Sequence, residues 1–258
     1  SDTSLQDFLA KQDKAKLEKL LIMFAQSNAS IRKALEDQIQ ASLGVTKALI
    51  KQVQHDVNNL SNFDWGDGYY RDESGPKVDL SRFKLRLKLM LDHSYYDDLV
   101  KMGQDILKNG QGLIEQSHDE GELSGELQEC MEIVLSALPY SGLSKAEQLI
   151  YLVELDLINT YDLIYIDKEL NNFWSDKPEA EDWHSLAKSL QQKLDQNTSK
   201  DFSSKYRRDQ LTNWLKVALE NSGQKGDVLR LLEEEAVKTQ SYTRLVEELI
   251  HRNKLSEA

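Results

Sequence analysis

Hydrophobic positions follow the 3.6-residue period of an amphipathic helix along most of the chain, and strand-like alternation is hard to find. The clearest examples lie near the C-terminus, where two apolar stripes about thirty residues apart share the spacing i, i+3, i+4, i+7 and i+8. The stripes are Leu211, Trp214, Leu215, Ala218 and Leu219, and then Tyr242, Leu245, Val246, Leu249 and Ile250. Because an amphipathic helix needs a neighbour to bury its stripe, this repetition predicts stacked helical hairpins.

The pattern predicts an all-α fold of about a dozen helices with short connections, the layout of stacked antiparallel pairs. We expect an N-terminal helical group over 1–60 and an aromatic loop over 61–78, where the helical period is lost. Residues 79–258 are expected to form a solenoid of helical hairpins resembling tetratricopeptide repeats, and the three parts to form one continuous unit. A stack of this kind normally ends in a polar capping helix, so the sequence after Ile250 is consistent with a natural protein that continues further.

Local signals place individual helix ends. Ser144 and Glu147 have the spacing of a capping box, which predicts a helix that begins beside Ser144. Another helix is predicted from Tyr161 to Trp174. A turn is predicted over residues 221–224, directly after the first of the two stripes.

Composition indicates an ordinary folded protein, with 40% hydrophobic and 29% charged residues. No apolar run approaches the roughly 18 residues that span a bilayer, and the N-terminus lacks a signal-peptide pattern, so a cytoplasmic location without membrane contact is expected. The single cysteine, Cys130, excludes an intrachain disulfide. Because it lies on an amphipathic helix, we expect it to be a small buried apolar residue.

The net charge of −12 is unevenly distributed. From His93 to Gln196 there are 21 acidic and 7 basic residues, which gives −14, whereas the residues from Asp201 onward carry ten of each. An acidic surface repels phosphate backbones, so direct contact with nucleic acid is not expected. One short basic stretch, from Lys77 to Lys88, is expected to lie against acidic neighbours in this chain or in a partner.

The aromatic loop is the first candidate for partner binding, through Trp65, Tyr69 and Tyr70 beside Phe63. Tryptophan and tyrosine contribute much of the binding energy at protein interfaces. The alternative is that these rings fill the seam between the N-terminal helices and the rest of the chain.

The second candidate is the group Tyr206, Arg207 and Arg208, followed by Trp214. Adjacent arginines on a helix point in different directions, so at most one can pair with Asp209 or with the preceding acidic repeat. The other could bind a partner carboxylate through a bidentate fork. The alternative is a salt bridge between repeats.

Catalytic chemistry is not expected, and neither a cofactor nor a metal is predicted. His118-Asp119 is similar to the paired ligands of metal-dependent phosphohydrolases, but that site needs another histidine and another aspartate. These two residues lie in a Gly- and Glu-rich break, where exposed polar residues are the simpler interpretation. The sequence contains no Gly-rich phosphate loop and no nucleophile elbow.

Several short segments, in a fixed order, resemble the helical region that follows the finger in bacterial SWIM zinc-finger family proteins. They are 63–65, 69–71, 96–100, 126–132, 143–147, 155–157, 206–209, Trp214 and 244–246. The resemblance implies an all-α repeat region similar to tetratricopeptide arrays. The finger itself needs three cysteines and a histidine, and this chain has one cysteine, so the binding attributed to the finger does not carry over.

These observations favour a non-enzymatic scaffold that holds a peptide or a partner subunit in a groove lined by the inner helices of the stack. The alternative, which the resemblance suggests, is an accessory helical region of a nucleic-acid-processing complex. A more distant alternative is a metal-dependent hydrolase that uses His118 and Asp119.

Overall fold

The computed structural model describes residues 2–42, 46–61, 80–116, 121–159, 165, 177–197 and 202–252. All regular structure within these ranges is helical, which confirms the all-α prediction. The aromatic loop with Trp65, Tyr69 and Tyr70 lies outside the described residues. So do the pair His118-Asp119 and nearly all of the helix predicted from Tyr161 to Trp174.

The chain divides into two compact units, Ser1–Ala137 and Leu138–Ala258. The first unit contains α1 (Asp2–Ala10), α2 (Lys14–Ser27), α3 (Ala29–Ser42), α4 (Thr46–Leu60), α5 (Ser81–Asp92), α6 (Tyr96–Gln116) and α7 (Glu122–Ala137). The second contains a 3-10 turn (Leu138–Tyr140), α8 (Lys145–Ile158), α9 (Ala180–Gln196), α10 (Phe202–Asn221), α11 (Lys225–Thr239) and α12 (Thr243–His251). The predicted division at residues 61–78 stays a prediction. Helices α3 and α4, which precede this segment, both pack against α5, which follows it.

The core of the first unit lies among α4, α5, α6 and α7. One face of α4 buries Val53 and Val57, and α6 and α7 contribute residues such as Ile106 and Met131. Cys130 is also fully buried, as predicted. Burial raises the pKa of its thiol to about 12, so the thiol stays protonated and unreactive near neutral pH.

The basic stretch lies against acidic neighbours at two of its residues, as predicted. Arg86 is only 2% exposed, and its guanidinium donates to the carboxylate of Asp56 on α4. The Lys84 ammonium donates to Glu129 on α7. Because an isolated buried charge is costly, the Asp56 carboxylate is what allows Arg86 to occupy the core.

In the second unit two of the local predictions are confirmed, the capping box at Ser144 and the turn at 221–224. The Ser144 Oγ accepts a hydrogen bond from the Glu147 amide, and the Glu147 carboxylate accepts one from the Ser144 amide, which completes the capping box before α8. The turn after α10 is a Schellman motif, because the Gln224 amide donates to Leu219 O and the Gly223 amide to Glu220 O. Gly223 has a φ of 83°, a backbone conformation that favours glycine.

The two apolar stripes differ in how completely they are covered. In the α10 stripe every residue except Trp214 is buried. In the α12 stripe Leu249 is buried, whereas Tyr242 and Ile250 are each 50% exposed. The stripe on α12 is therefore only partly packed. Among the described residues no helix combines the length and apolar character needed to cross a bilayer.

Helices α6 and α7 approach each other closely at Gly110. A Cβ atom at this position would lie 2.5 Å from Cδ1 and 2.8 Å from Cδ2 of Leu127, so the buried Leu127 side chain or one of the two helices would have to shift. At Gly112, two residues further along the same helix, a Cβ atom would come no closer than 3.8 Å to Ser61 Cβ. The two glycines therefore provide a matched pair for a stability test.

We predict that Gly110→Ala lowers the free energy of unfolding by about 1–2 kcal/mol, since overpacking outweighs the gain in helix propensity. Gly112→Ala should raise the same quantity by up to about 1 kcal/mol through helix propensity alone. Urea unfolding followed by circular dichroism at 222 nm measures both. Equal stability of the two variants would contradict the close approach of α6 and α7.

Candidate functional site

Helix α10 is the centre of the second unit, because it packs against α8, α9 and α11. Helix α9 also packs against α8, and α11 packs against α12. Polar contacts reinforce this arrangement. The Trp214 indole Nε1 donates to Asp156 Oδ2 over 2.7 Å and so joins α10 to α8.

One guanidinium, that of Arg208, connects three helices. Its Nε and Nη2 donate to the two carboxylate oxygens of Glu235 on α11, over 2.5 and 2.7 Å. Its Nη1 donates to Leu194 O over 3.1 Å and to Asn197 O over 2.6 Å, at the C-terminal end of α9. A bidentate ion pair is strong and directional, and a cation at a helix C-terminus is favoured by the helix dipole.

The structure thus gives Arg208 the role of a salt bridge between helices. Its partner is Glu235 of a following helix, whereas Asp209 pairs with Arg244 on α12. The sequence contained a signal that Glu235 is the partner of Arg208. Glu235 lies four residues after Leu231 and seven after Val228, on the apolar stripe of α11, and an acid on a buried stripe needs a buried partner.

Helices α9 and α11 run side by side in the same direction. At their N-terminal ends, His184 Nδ1 on α9 lies 2.9 Å from Oε1 of Gln224, which immediately precedes α11. At their C-terminal ends, Arg208 joins the last carbonyls of α9 to Glu235 on α11. The two helices are thus held together at both ends, with α10 behind them.

A groove of about 470 Å³ lies between α9 and α11, a volume within the range of ordinary ligand sites. Its floor is apolar, and both of its rims are polar and charged. The floor comprises Ala187, Leu215, Leu219 and Leu231, and the rims carry His184, Lys188, Gln191, Asp195, Gln224, Asp227, Arg230 and Glu234. An apolar floor between polar rims is suited to binding a chain segment of mixed character.

A second groove, of about 460 Å³, lies between α10 and α12, but its charged groups mostly pair with each other. Glu248 is 4% exposed and accepts from Lys216 Nζ and from Arg252 Nε, each over 2.6 Å. Burial by itself favours the neutral acid, but the hydrogen bonds from Lys216 and Arg252 outweigh it and hold the pKa of Glu248 below its usual range. The pair with Lys216 joins α12 to α10, the pair with Arg252 lies at the end of α12 itself, and we interpret this groove as structural.

The four sequence-predicted candidates on α10 lie elsewhere. Arg208 and Trp214 are engaged in the hydrogen bonds described above. Tyr206 is 47% exposed and Arg207 is also exposed, at the N-terminal end of α10. None of these four lines the groove between α9 and α11. Their contact with a partner stays a prediction.

The residues that line the groove were missed in the sequence. On α9 they occur at His184, Lys188, Gln191 and Asp195, which is the spacing i, i+4, i+7 and i+11 of one helix face. The same spacing is typical of an ordinary solvated face. This face of α9 becomes one wall of a groove only because α11 lies opposite it and forms the other wall.

No family model, no curated protein and no solved structure matches the chain. The resemblance to the helical region of SWIM zinc-finger proteins therefore stays a prediction. Among the residues that the structure describes, no group of three or more His, Cys, Asp or Glu side chains is arranged to hold a metal ion.

We predict that Glu235→Gln destabilises the second unit by about 3 kcal/mol, because it leaves the Arg208 guanidinium buried without its counter-charge. Glu154→Gln is the control, since it removes the more exposed pair with Lys193 and should cost less than about 1 kcal/mol. Guanidinium chloride unfolding measures both. Equal costs for the two variants would show that Arg208 does not depend on Glu235.

The lowered pKa of Glu248 predicts a pH dependence of stability. The folded state binds this proton less readily than the unfolded state, so the contribution of Glu248 is complete above the unfolded pKa of about 4.3. It is lost as the pH falls through that value and the lower folded pKa. The difference in unfolding free energy between the wild type and Glu248→Gln should therefore shrink from pH 6 to pH 3.

Exposed Glu247 provides the control for this measurement. Unfolding free energies of Glu247→Gln should follow the wild-type pH profile over the same range. A constant difference between the wild type and Glu248→Gln would show that the pairs with Lys216 and Arg252 do not favour the ionised form of Glu248.

Proposed function

We propose that this chain is a non-enzymatic interaction scaffold, built as a solenoid of stacked helical hairpins, which holds a peptide segment of a partner protein between α9 and α11. The observation that supports this most is the groove itself. Two helices run in the same direction with an apolar floor between them and charged side chains along both rims. These are the features that peptide recognition uses, with apolar contact for affinity and placed charges for selectivity.

The fixed position of the two walls also favours binding. Arg208 holds one end of the groove and the contact between His184 and Gln224 holds the other. A site whose walls are already in place loses little conformational entropy when a ligand enters. Acidic Asp195, Asp227 and Glu234 on the rims make a nucleic-acid backbone a poor occupant.

A capture experiment with three baits tests this proposal. The baits are the wild-type chain, a groove variant with Lys188→Glu and Asp195→Lys, and an outer-surface variant with Arg207→Glu. All three changed residues are exposed, so the variants should fold with unchanged circular dichroism and thermal midpoint. Proteins retained from a lysate of the source cells are identified by mass spectrometry.

We expect a set of proteins to be retained by the wild type and by the Arg207→Glu bait, and to be depleted at least tenfold from the groove variant. The charge reversals should remove the rim contacts while the fold is kept. Retention of the same set by all three baits would contradict the groove as the binding site. Depletion by Arg207→Glu alone would assign binding to the start of α10 instead.

A further inference from the structure

We infer that the groove between α9 and α11 selects an extended peptide in which an acidic and a basic residue flank one apolar residue. This inference rests on the proposed function, because it assumes that a peptide enters this groove. It adds the conformation of the peptide and the chemistry of three successive side chains.

The length of the groove fits a short extended segment. His184 and Asp195 are eleven residues apart on α9, which is about 16 Å at a rise of 1.5 Å per residue. An extended chain rises about 3.3 Å per residue, so about five residues fit along the groove.

The charges along the groove have a definite order. If the level of His184 and Gln224 is taken as the origin, Lys188 lies about 6 Å along the groove and Arg230 about 9 Å along it. Asp195 and Glu234 follow at about 16 and 15 Å. On α9 the anion follows the cation by about 10 Å. On α11 Asp227 comes first, at about 4 Å, and Glu234 follows Arg230 by about 6 Å. The net charge of the rims is therefore positive at the level of Lys188 and Arg230 and negative at the level of Asp195 and Glu234.

The existing contacts of these charges leave them able to bind a ligand. Arg230 pairs with Asp227 over 3.0 Å, but its side chain is 70% exposed. Asp195 accepts from the Gln191 amide over 3.0 Å, and Glu234 lies 3.9 Å from Lys238 Nζ. Exposed pairs of this kind contribute little stability and exchange readily for a new partner.

The alternation of side chains in an extended peptide fits this order. Residues i and i+2 point to the same side and are about 6.6–7 Å apart, between the cation–anion separations of about 6 Å on α11 and 10 Å on α9. The residue between them points the opposite way, towards Leu215, Leu219 and Leu231 on the floor. The acidic residue then lies between Lys188 and Arg230, and the basic residue between Asp195 and Glu234. These side chains do not fix the chain direction, so acid-apolar-base and base-apolar-acid peptides are both expected.

Selection from a phage-displayed library of random peptides tests the inference without knowledge of the natural partner. Against the wild-type chain we expect enriched peptides to share an acidic and a basic residue with one apolar residue between them. Against an Asp195→Lys, Glu234→Lys variant the basic residue should be replaced by a second acid. Against a Lys188→Glu, Arg230→Glu variant the acidic residue should be replaced by a second base.

A blocking control shows whether the selected peptides occupy the groove. Because Cys130 is buried, a cysteine introduced at Gln191 in the groove, or at exposed Gln192 beside it, can be modified selectively with a bulky maleimide. Blocking at Gln191→Cys should weaken the binding of a selected, fluorescently labelled peptide at least tenfold. Blocking at Gln192→Cys should change it less than twofold.

The outcomes separate this inference from the proposed function. Enriched peptides that are blocked at Gln191→Cys but lack the charge pattern, or keep it against both charge variants, would overturn the inference and leave a peptide-binding groove. Peptides that bind equally well to both blocked proteins, or no enrichment over an empty support, would overturn both.

Discussion

The second unit depends on one partly buried guanidinium, that of Arg208, whose side chain is 12% exposed. Arg208 makes four hydrogen bonds, two to the Glu235 carboxylate and two to the terminal carbonyls of α9. A hydrophobic residue at this position could fill the space, but it could not fix the direction and distance of two other helices at once. The groove is a consequence of that link, since its two walls are the helices that Arg208 joins through α10.

The first unit uses a buried cation in a comparable way. Arg86 on α5 is almost fully enclosed and pairs with Asp56 on α4, two helices that the chain connects through residues 61–80. Replacing a buried ion pair with apolar residues is often neutral or stabilising, so such a pair is weak evidence for stability. Its clearer effect is specificity, because the contact between the Arg86 guanidinium and the Asp56 carboxylate favours one alignment of α4 and α5.

The sequence alone predicted the features that depend on neighbouring residues. The helical period, the Ser144–Glu147 capping box, the turn at Gly223 and the burial of Cys130 are set within a few residues of chain, and the structure confirms each of them. Contacts between distant segments were harder to predict. Three successive glutamates, at 233–235, are possible partners for Arg208 in the sequence. Of these, only Glu235 has the helical spacing of the buried residues on α11. The groove was missed because its walls are about forty residues apart.

The close approach at Gly110 has a mechanical consequence for α6 and α7. A helix surface is ridged, and two helices can slide only if the side chains at each new position fit the opposite surface. Here the methyl groups of Leu127 lie where a side chain at Gly110 of α6 would otherwise be. Displacement along the axis by about one helical turn would bring the side chain of Leu107 or Leu113 against Leu127. A force applied to one of these helices should therefore be transmitted to the other without slippage.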